Sequence, residues 1–255
     1  MNMISFKAVA RFFLVALHLL YGVFLASLIF PLCAKPTRGK IGQTWCRQML
    51  WALDIHLSLE DGASFAGSGL LICNHISFID IFVINAYTPT VFVAKSEVAT
   101  WPLIGRLATR ADTVFIERGR PKAAFLTSAA IRQRLSSGQS VSFFPEGTTS
   151  LGETVKPFHA ALFQSAIDAD APIHCLALCY LTRQGYLSTA PAYIENISLM
   201  QCLWQVLTSG GLQAHLQTLP SVSSSNIDRR HLAHSTHTRI VHALADYRSR
   251  IPRAN

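Results

Sequence analysis

Residues 70–80 read Leu70-Leu71-Ile72-Cys73-Asn74-His75-Ile76-Ser77-Phe78-Ile79-Asp80. An uninterrupted apolar run, then a polar turn, then a mixed segment predicts a strand over 70–73 that hands over to a helix. The same alternation of short apolar runs with longer amphipathic ones continues after residue 53. Further strands are expected over 55–59, 91–94, 113–116, 140–144 and 173–179, with helices over 78–87, 102–109, 121–135 and 160–167. Pro121 suits a helix start and Gly138 a helix stop. A last helix is expected to begin after Ser225 or Asp228 and to run to about Arg248. The class is α/β. No repeat or low-complexity segment interrupts it, and the serine-rich stretch 221–225 is the only one that reads as a linker.

The 255 residues fit one catalytic domain with an appendage better than two domains. Hydrophobic residues make up 50% and charged residues 14%, with a mean hydropathy of +0.31. That balance is too apolar for a soluble protein and too dilute for a polytopic one, so a globular domain plus a membrane element is expected. Of the 22 basic residues, Lys7, Arg11, Lys35, Arg38, Lys40 and Arg47 precede Asp54, before which there is no acidic residue; the other 16 face 14 acidic residues. The net charge of +8 is thus concentrated beside the most apolar segment, which favours anionic lipid headgroups over nucleic acid.

Residues 12–30, FFLVALHLLYGVFLASLIF, carry no charge and at ~1.5 Å per residue are long enough to cross a bilayer core. No A-x-A site follows, so an uncleaved anchor is expected rather than a signal peptide. A second helix over 39–53 puts Ile41, Trp45, Met49 and Leu53 on one face and suits the membrane interface. A spanning helix and an interfacial helix pair both remain open, with the main domain on the cytosolic side. The division expected is 1–53 for the anchor and 54–255 for the catalytic domain. The cysteines Cys33, Cys46, Cys73, Cys175, Cys179 and Cys202 show no C-x-x-C pair and no zinc spacing. They read as free thiols of a reducing compartment, with no metal.

Three strand exits carry chemistry. At the first, a separation of five residues on a regular helix rotates by roughly 140°, so His75 and Asp80 could not face each other from one helix. With His75 on the preceding turn, its ring could fold back to Asp80, which would hold one ring nitrogen as a donor and leave the other as a base. Ser77 with Asp80 equally makes a capping box, with His75 a satisfied buried histidine; local chemistry leaves both readings open. At the second exit, Phe143-Phe144-Pro145-Glu146-Gly147-Thr148-Thr149-Ser150, Gly147 permits close backbone approach, and the following amides and hydroxyls suit an anionic or polyol group or simply shape a tight turn. At the third, Phe115-Ile116-Glu117-Arg118-Gly119-Arg120, Arg118 could clamp a phosphate or lie exposed beside Glu117. Lys95, after the strand over 91–94, adds a positive charge or simply starts a solvated helix.

The ordered set N-H-x-x-x-x-D, F-I-E-R-G-R, F-F-P-E-G-T-T-S and Ala171-Pro172-Ile173 resembles the four blocks of the 1-acylglycerol-3-phosphate acyltransferase family, over residues 70–180. The resemblance implies the glycerolipid acyltransferase fold, a central mostly parallel sheet flanked by helices, here with an N-terminal membrane-anchoring helix or helix pair. It implies His75 as general base and Asp80 as its orienting partner. Arg118, Glu146, Gly147 and Thr148 are then the lysolipid-binding set, and Pro172 and Ile173 belong to the acyl-donor side. It further implies acyl-CoA or acyl carrier protein as a soluble co-substrate, a lysolipid acceptor, no metal and no bound cofactor. The family pattern assigns no residue to the developing oxyanion. Where the family often shows a Lys-Gly pair, this chain reads Lys156-Pro157-Phe158-His159, which resembles a subgroup acylating other lysolipids, including lyso-ornithine lipid. Lysophosphatidate leads as acceptor, and a bacterial inner membrane is the expected location. A hydrolase is disfavoured because there is no G-x-S-x-G elbow, and Cys73 beside His75 reads as a small apolar residue rather than a nucleophile. A non-catalytic lipid-binding protein would explain the amino terminus but not the motif set.

Overall fold

In the computed structural model, residues 3–61, 67–117, 121–194 and 196–252 are described. The strands β1 (Ile55–Asp61), β2 (Leu70–Cys73), β3 (Val91–Lys95), β4 (Val114–Ile116), β5 (Val141–Phe143), β6 (Ile173–Thr182) and β7 (Leu212–Thr218) form one sheet in the order β1-β7-β6-β2-β5-β3-β4. Every neighbouring pair is parallel except β6 with β7. The mostly parallel α/β sheet read from the sequence is therefore present. β2 lies at its centre, and Leu70, Leu71, Ile72 and Cys73 are all buried.

Alternate residues of the central strands point to opposite faces. Leu71, Cys73, Leu176, Leu178 and Tyr180 face one core, shared with α1 (Met3–Phe24), α2 (Lys35–Ala52), α3 (Asp80–Tyr87) and α7 (Leu199–Thr208). Leu70, Ile72, Ile173, Cys175 and Cys179 face the other, covered by α5 (Pro121–Ser136), α6 (Gln164–Asp168) and α8 (Arg229–Arg250). The remaining helix, α4 (Ile104–Arg110), packs beside α1.

Besides shifts of a few residues at several element ends, the structure departs from the sequence reading in three places. The helix expected from residue 78 begins at Asp80, because the Asp80 carboxylate bonds the backbone of the turn before it. The helix expected over 160–167 is a 3-10 turn at Ala161–Phe163 followed by the short α6. No element was expected between residues 179 and 225, where α7 and β7 lie; α7 opens on a full capping box between Ser198 and Gln201.

From α1 the chain continues through a π-helical turn (Leu25–Ile29) and a 3-10 turn (Phe30–Leu32) into α2. The stretch Phe6–Leu32 is the one helix among the described residues long and apolar enough to cross a membrane. Its outer face, with Phe6, Phe13, Leu17, Phe24 and Leu28, is exposed. Its inner face is fastened along its length. Arg11 donates to the Trp51 and Ala52 carbonyls at 2.7 and 2.9 Å and pairs with Asp54 at 3.0 Å. The His18 ring stacks on Trp45, and each side chain bonds the other's backbone carbonyl, at 2.9 and 3.1 Å. Gly22 makes room for that indole, since a methyl there would meet it at 2.7 Å. Part of the basic charge expected beside anionic lipid is used inside the fold. Arg11, Arg38 and Arg47 bond backbone carbonyls of this fold, among them the helix-end carbonyls that lack intrahelical partners.

Candidate active site

His75 leaves the carboxyl end of β2 on an irregular turn, the position where α/β sheets place function. Asn74 sets that exit. Its side chain donates to the Leu178 carbonyl at 2.9 Å and accepts from the Leu178 N–H at 2.8 Å, so it continues the β2–β6 ladder by one position. Asp80, first residue of α3, is completely buried. Its Oδ2 lies 2.8 Å from His75 Nδ1 and also accepts the N–H groups of Ile76 and Ser77, at 2.7 and 2.9 Å. Its Oδ1 accepts the Tyr180 hydroxyl at 2.7 Å. With three other donors on the Asp80 carboxylate, the Ile76 and Ser77 N–H groups and the Tyr180 hydroxyl, it acts as acceptor towards His75 as well, so Nδ1 carries the hydrogen and Nε2 is left as an acceptor. Burial and the neighbouring Asp80 push the Tyr180 phenol well above its usual range, which keeps it a donor.

The imidazole lies flat on Phe144, with ring centres 3.8 Å apart and planes 6° from parallel. Beneath it, Glu146 is 3% exposed; its two oxygens accept the His75 N–H at 2.7 Å and the Lys156 N–H at 2.8 Å. Burial pushes this carboxyl up to about 7, against the pull of those two donors. Gly147, at φ 68, closes the turn through its N–H to the Phe144 carbonyl at 3.0 Å, a backbone that a side chain would strain. The Ser150 N–H reaches the His75 carbonyl at 3.0 Å, so the loops after β2 and β5 are sewn together. His75, 17% exposed, opens on a cavity of about 1570 Å³ whose walls include Val15 and Leu19 of α1, Trp45 of α2, Phe82 of α3 and Phe92 of β3.

Residues 55–178 match the family model described as "Acyltransferase". A 1-acyl-sn-glycerol-3-phosphate acyltransferase of Neisseria meningitidis is 41% identical over 163 residues, 64% of each chain; the match thus spans just under two thirds of that relative. A lyso-ornithine lipid O-acyltransferase of Pseudomonas aeruginosa is 32% identical over 198 residues, 78% of this chain and 76% of the relative. The chain belongs to the acyltransferase family. The crystal structure of a 1-acyl-sn-glycerophosphate acyltransferase from Thermotoga maritima superposes with a TM-score of 0.63 at 16% identity, over 94% of this chain and 98% of that one, and shows the shared fold.

Within this family member, His75, Asp80, Glu146 and Gly147 are brought together as neighbours. Thr148, half-buried, lines the same cavity, as does Lys95, exposed at the end of β3. Arg118 lies outside the described residues; the strand that leads to it, β4, pairs with β3 so that Ile116 is level with Lys95. Pro172 and Ile173 stand at the opposite end of the sheet, where Ile173 is level with Leu70 and buried in the second core, so neither meets His75. Cys73 is fully buried, and burial, with Asp80 and Glu146 nearby, holds its thiol well above the usual range, an environment that disfavours the thiolate. Sequence reasoning missed three contributors, Asn74, Phe144 and Tyr180. Tyr180 had a signal, a phenol inside an apolar strand, whose hydroxyl needs a buried partner.

Proposed function

We propose that this protein is a membrane-bound O-acyltransferase that moves a fatty acyl group from a thioester carrier, acyl-CoA or acyl carrier protein, to the hydroxyl of a lysolipid. The observation that carries this reading is the His75–Asp80 pair, made through Nδ1, with His75 lining a large, mostly apolar cavity. That volume exceeds the roughly 300–1,000 Å³ of ordinary small-molecule sites and suits long chains. His75 Nε2 takes the proton of the acceptor hydroxyl as its oxygen attacks the thioester carbonyl. The tetrahedral intermediate collapses to the ester, and the sulfur leaves with the proton returned by the imidazolium. Asp80 stabilises that imidazolium, as the aspartate does in a serine-protease triad, with the substrate hydroxyl in place of the serine. General-base action of this kind contributes ~10²–10⁴-fold, and holding both substrates in register adds to it. Glu146 is assigned the task of fixing the backbone beneath His75, while Lys95, Thr148 and Arg118 are the residues proposed to meet the lysolipid headgroup.

Residues 1–53 serve as the membrane element and 54–255 as the catalytic domain. The fastening of α1 through Arg11 and His18 supports a helix pair lying in the interface of one leaflet rather than a free span. The membrane proposed is a bacterial inner membrane, with the catalytic domain cytoplasmic. No metal or bound cofactor takes part in the proposed reaction.

Lysophosphatidate is the acceptor proposed first. The longer match to the Pseudomonas aeruginosa relative favours lyso-ornithine lipid as the second reading. Purified protein given acyl-CoA and acyl carrier protein donors against both lysolipids discriminates them. Phosphatidate as the main product supports the first, and an acylated ornithine lipid the second. No product from any pair supports a lipid-binding protein without catalysis.

A further inference from the structure

Helix α3 has eight residues, about 12 Å at the usual rise, and a helix this short has no stability of its own. Both of its ends are held by side chains. At the amino end, the carboxylate of its first residue Asp80 accepts from the Ile76 and Ser77 N–H groups and meets the His75 ring. At the carboxyl end, the orphan carbonyls are taken by α2. Arg47 Nε donates to the Ala86 carbonyl at 2.9 Å, and Gln43 Nε2 donates to the Tyr87 and Ala86 carbonyls at 2.8 and 3.3 Å. A guanidinium there also meets the negative end of the helix dipole. Gly39, one turn before Gln43, lies so close to Pro89 that a methyl on it would stand 3.2 Å away, so residues 39, 43 and 47 form one stripe against the carboxyl end of α3 and the turn after it. The arrangement repeats one step earlier, where Arg11 of α1 takes the terminal carbonyls Trp51 and Ala52 of α2. Trp45 joins the levels, stacked on His18 of α1 and edge-on to Phe82 of α3 at 5.8 Å.

From this chain of capped helices we infer that Arg47 and Gln43 are positioning residues, which set the approach of Asp80 to His75 from the membrane-facing helix pair. The inference rests on the reading of His75 as general base. An eight-residue helix has no internal hinge, so a shift at Ala86 moves Asp80 with it. Displacements of about 1 Å at a reacting group cost on the order of 10²-fold in rate. The seat of α1 and α2 in the lipid surface is thereby coupled to the geometry of the dyad, and Arg47 does this work in place of a headgroup contact.

The test compares Arg47→Ala, Arg47→Lys and the milder Gln43→Ala with wild type and His75→Ala, in vesicles, with folded fraction measured by protease resistance. Asp80 and Glu146, the charged groups that face His75, stay intact in the three positioning variants. The expected result is a fall in kcat per folded enzyme of roughly tenfold or more for Arg47→Ala. The lysolipid KM stays within about twofold, the acid limb of the kcat profile is displaced because the imidazole–carboxylate pairing has changed, and Arg47→Lys recovers most of the rate. Gln43→Ala shifts the same profile by less. Activity lost only in proportion to folded protein, with the pH profile unmoved in all three variants, overturns the inference. A raised KM or weakened vesicle binding at unchanged kcat also overturns it, since Arg47 would then be a headgroup contact. If His75→Ala is dead and Arg47→Ala is normal, only the positioning role fails. If His75→Ala remains active, the general-base reading fails first, and this inference with it.

Discussion

Tyr180 donates its phenolic hydrogen to Oδ1 of Asp80 at 2.7 Å, across 100 residues of sequence, and both side chains are buried. The contact ties β6 to the first residue of α3. Tyr180→Phe keeps the ring and leaves the carboxylate oxygen in the core without its donor, a loss of about 1–3 kcal/mol. A lower thermal midpoint and a severalfold lower kcat, with the lysolipid KM unchanged, are expected. Wild-type values for both would show that Asp80 does not depend on Tyr180.

Glu146 gives a pH signature. Its carboxyl, raised by burial from 4.5 to about 7, binds its proton more tightly in the folded protein than in the unfolded chain. The stability this group contributes therefore falls as pH rises from about 4.5 to about 7 and is level above that. Glu146→Gln cannot titrate, and its amide must turn an N–H₂ group towards one of two backbone donors, so it is less stable than wild type at low pH. The gap in thermal midpoint between the two proteins is expected to narrow across that window. A gap constant with pH would mean that Glu146 keeps an ordinary carboxyl in the fold.

How far the sequence reaches is seen best at this site. Strands such as Leu70–Cys73 are uninterrupted apolar runs and were legible almost to the residue. β7 was not, because Gln213, His215 and Gln217 alternate with its apolar residues and break the run. At the dyad, the sequence offered a catalytic pair or a helix cap as alternatives. The structure shows one carboxylate oxygen doing both, since Oδ2 of Asp80 bonds the Ile76 and Ser77 N–H groups and the His75 ring together. Only half of the predicted box forms: Asp80 accepts the Ser77 N–H at 2.9 Å, whereas the Asp80 N–H goes to the Ser77 carbonyl at 3.2 Å and not to its hydroxyl. Tyr180 and Asn74 act through contacts 100 and 104 positions apart, and no local pattern reports such pairs.

The seam between α1 and α2 is tested at Gly22. Gly22→Ala places a methyl 2.7 Å from the Trp45 indole, an overpacking that costs about 1–3 kcal/mol. The expected result is a lower thermal midpoint. The double variant Gly22→Ala/Trp45→Phe is expected to lose less than the sum of the two single changes, because the smaller ring relieves the contact. Additive losses would mean that the two helices part without strain.

The proposed role of His75 as general base is put to the test by measuring acyl transfer from labelled acyl-CoA and acyl carrier protein to lysophosphatidate and lyso-ornithine lipid by membranes carrying equal amounts of wild type and His75→Ala. Loss of the base is expected to lower kcat by roughly 10²–10⁴-fold, with the protein still folded and membrane-bound. Transfer by His75→Ala at the wild-type rate would contradict it.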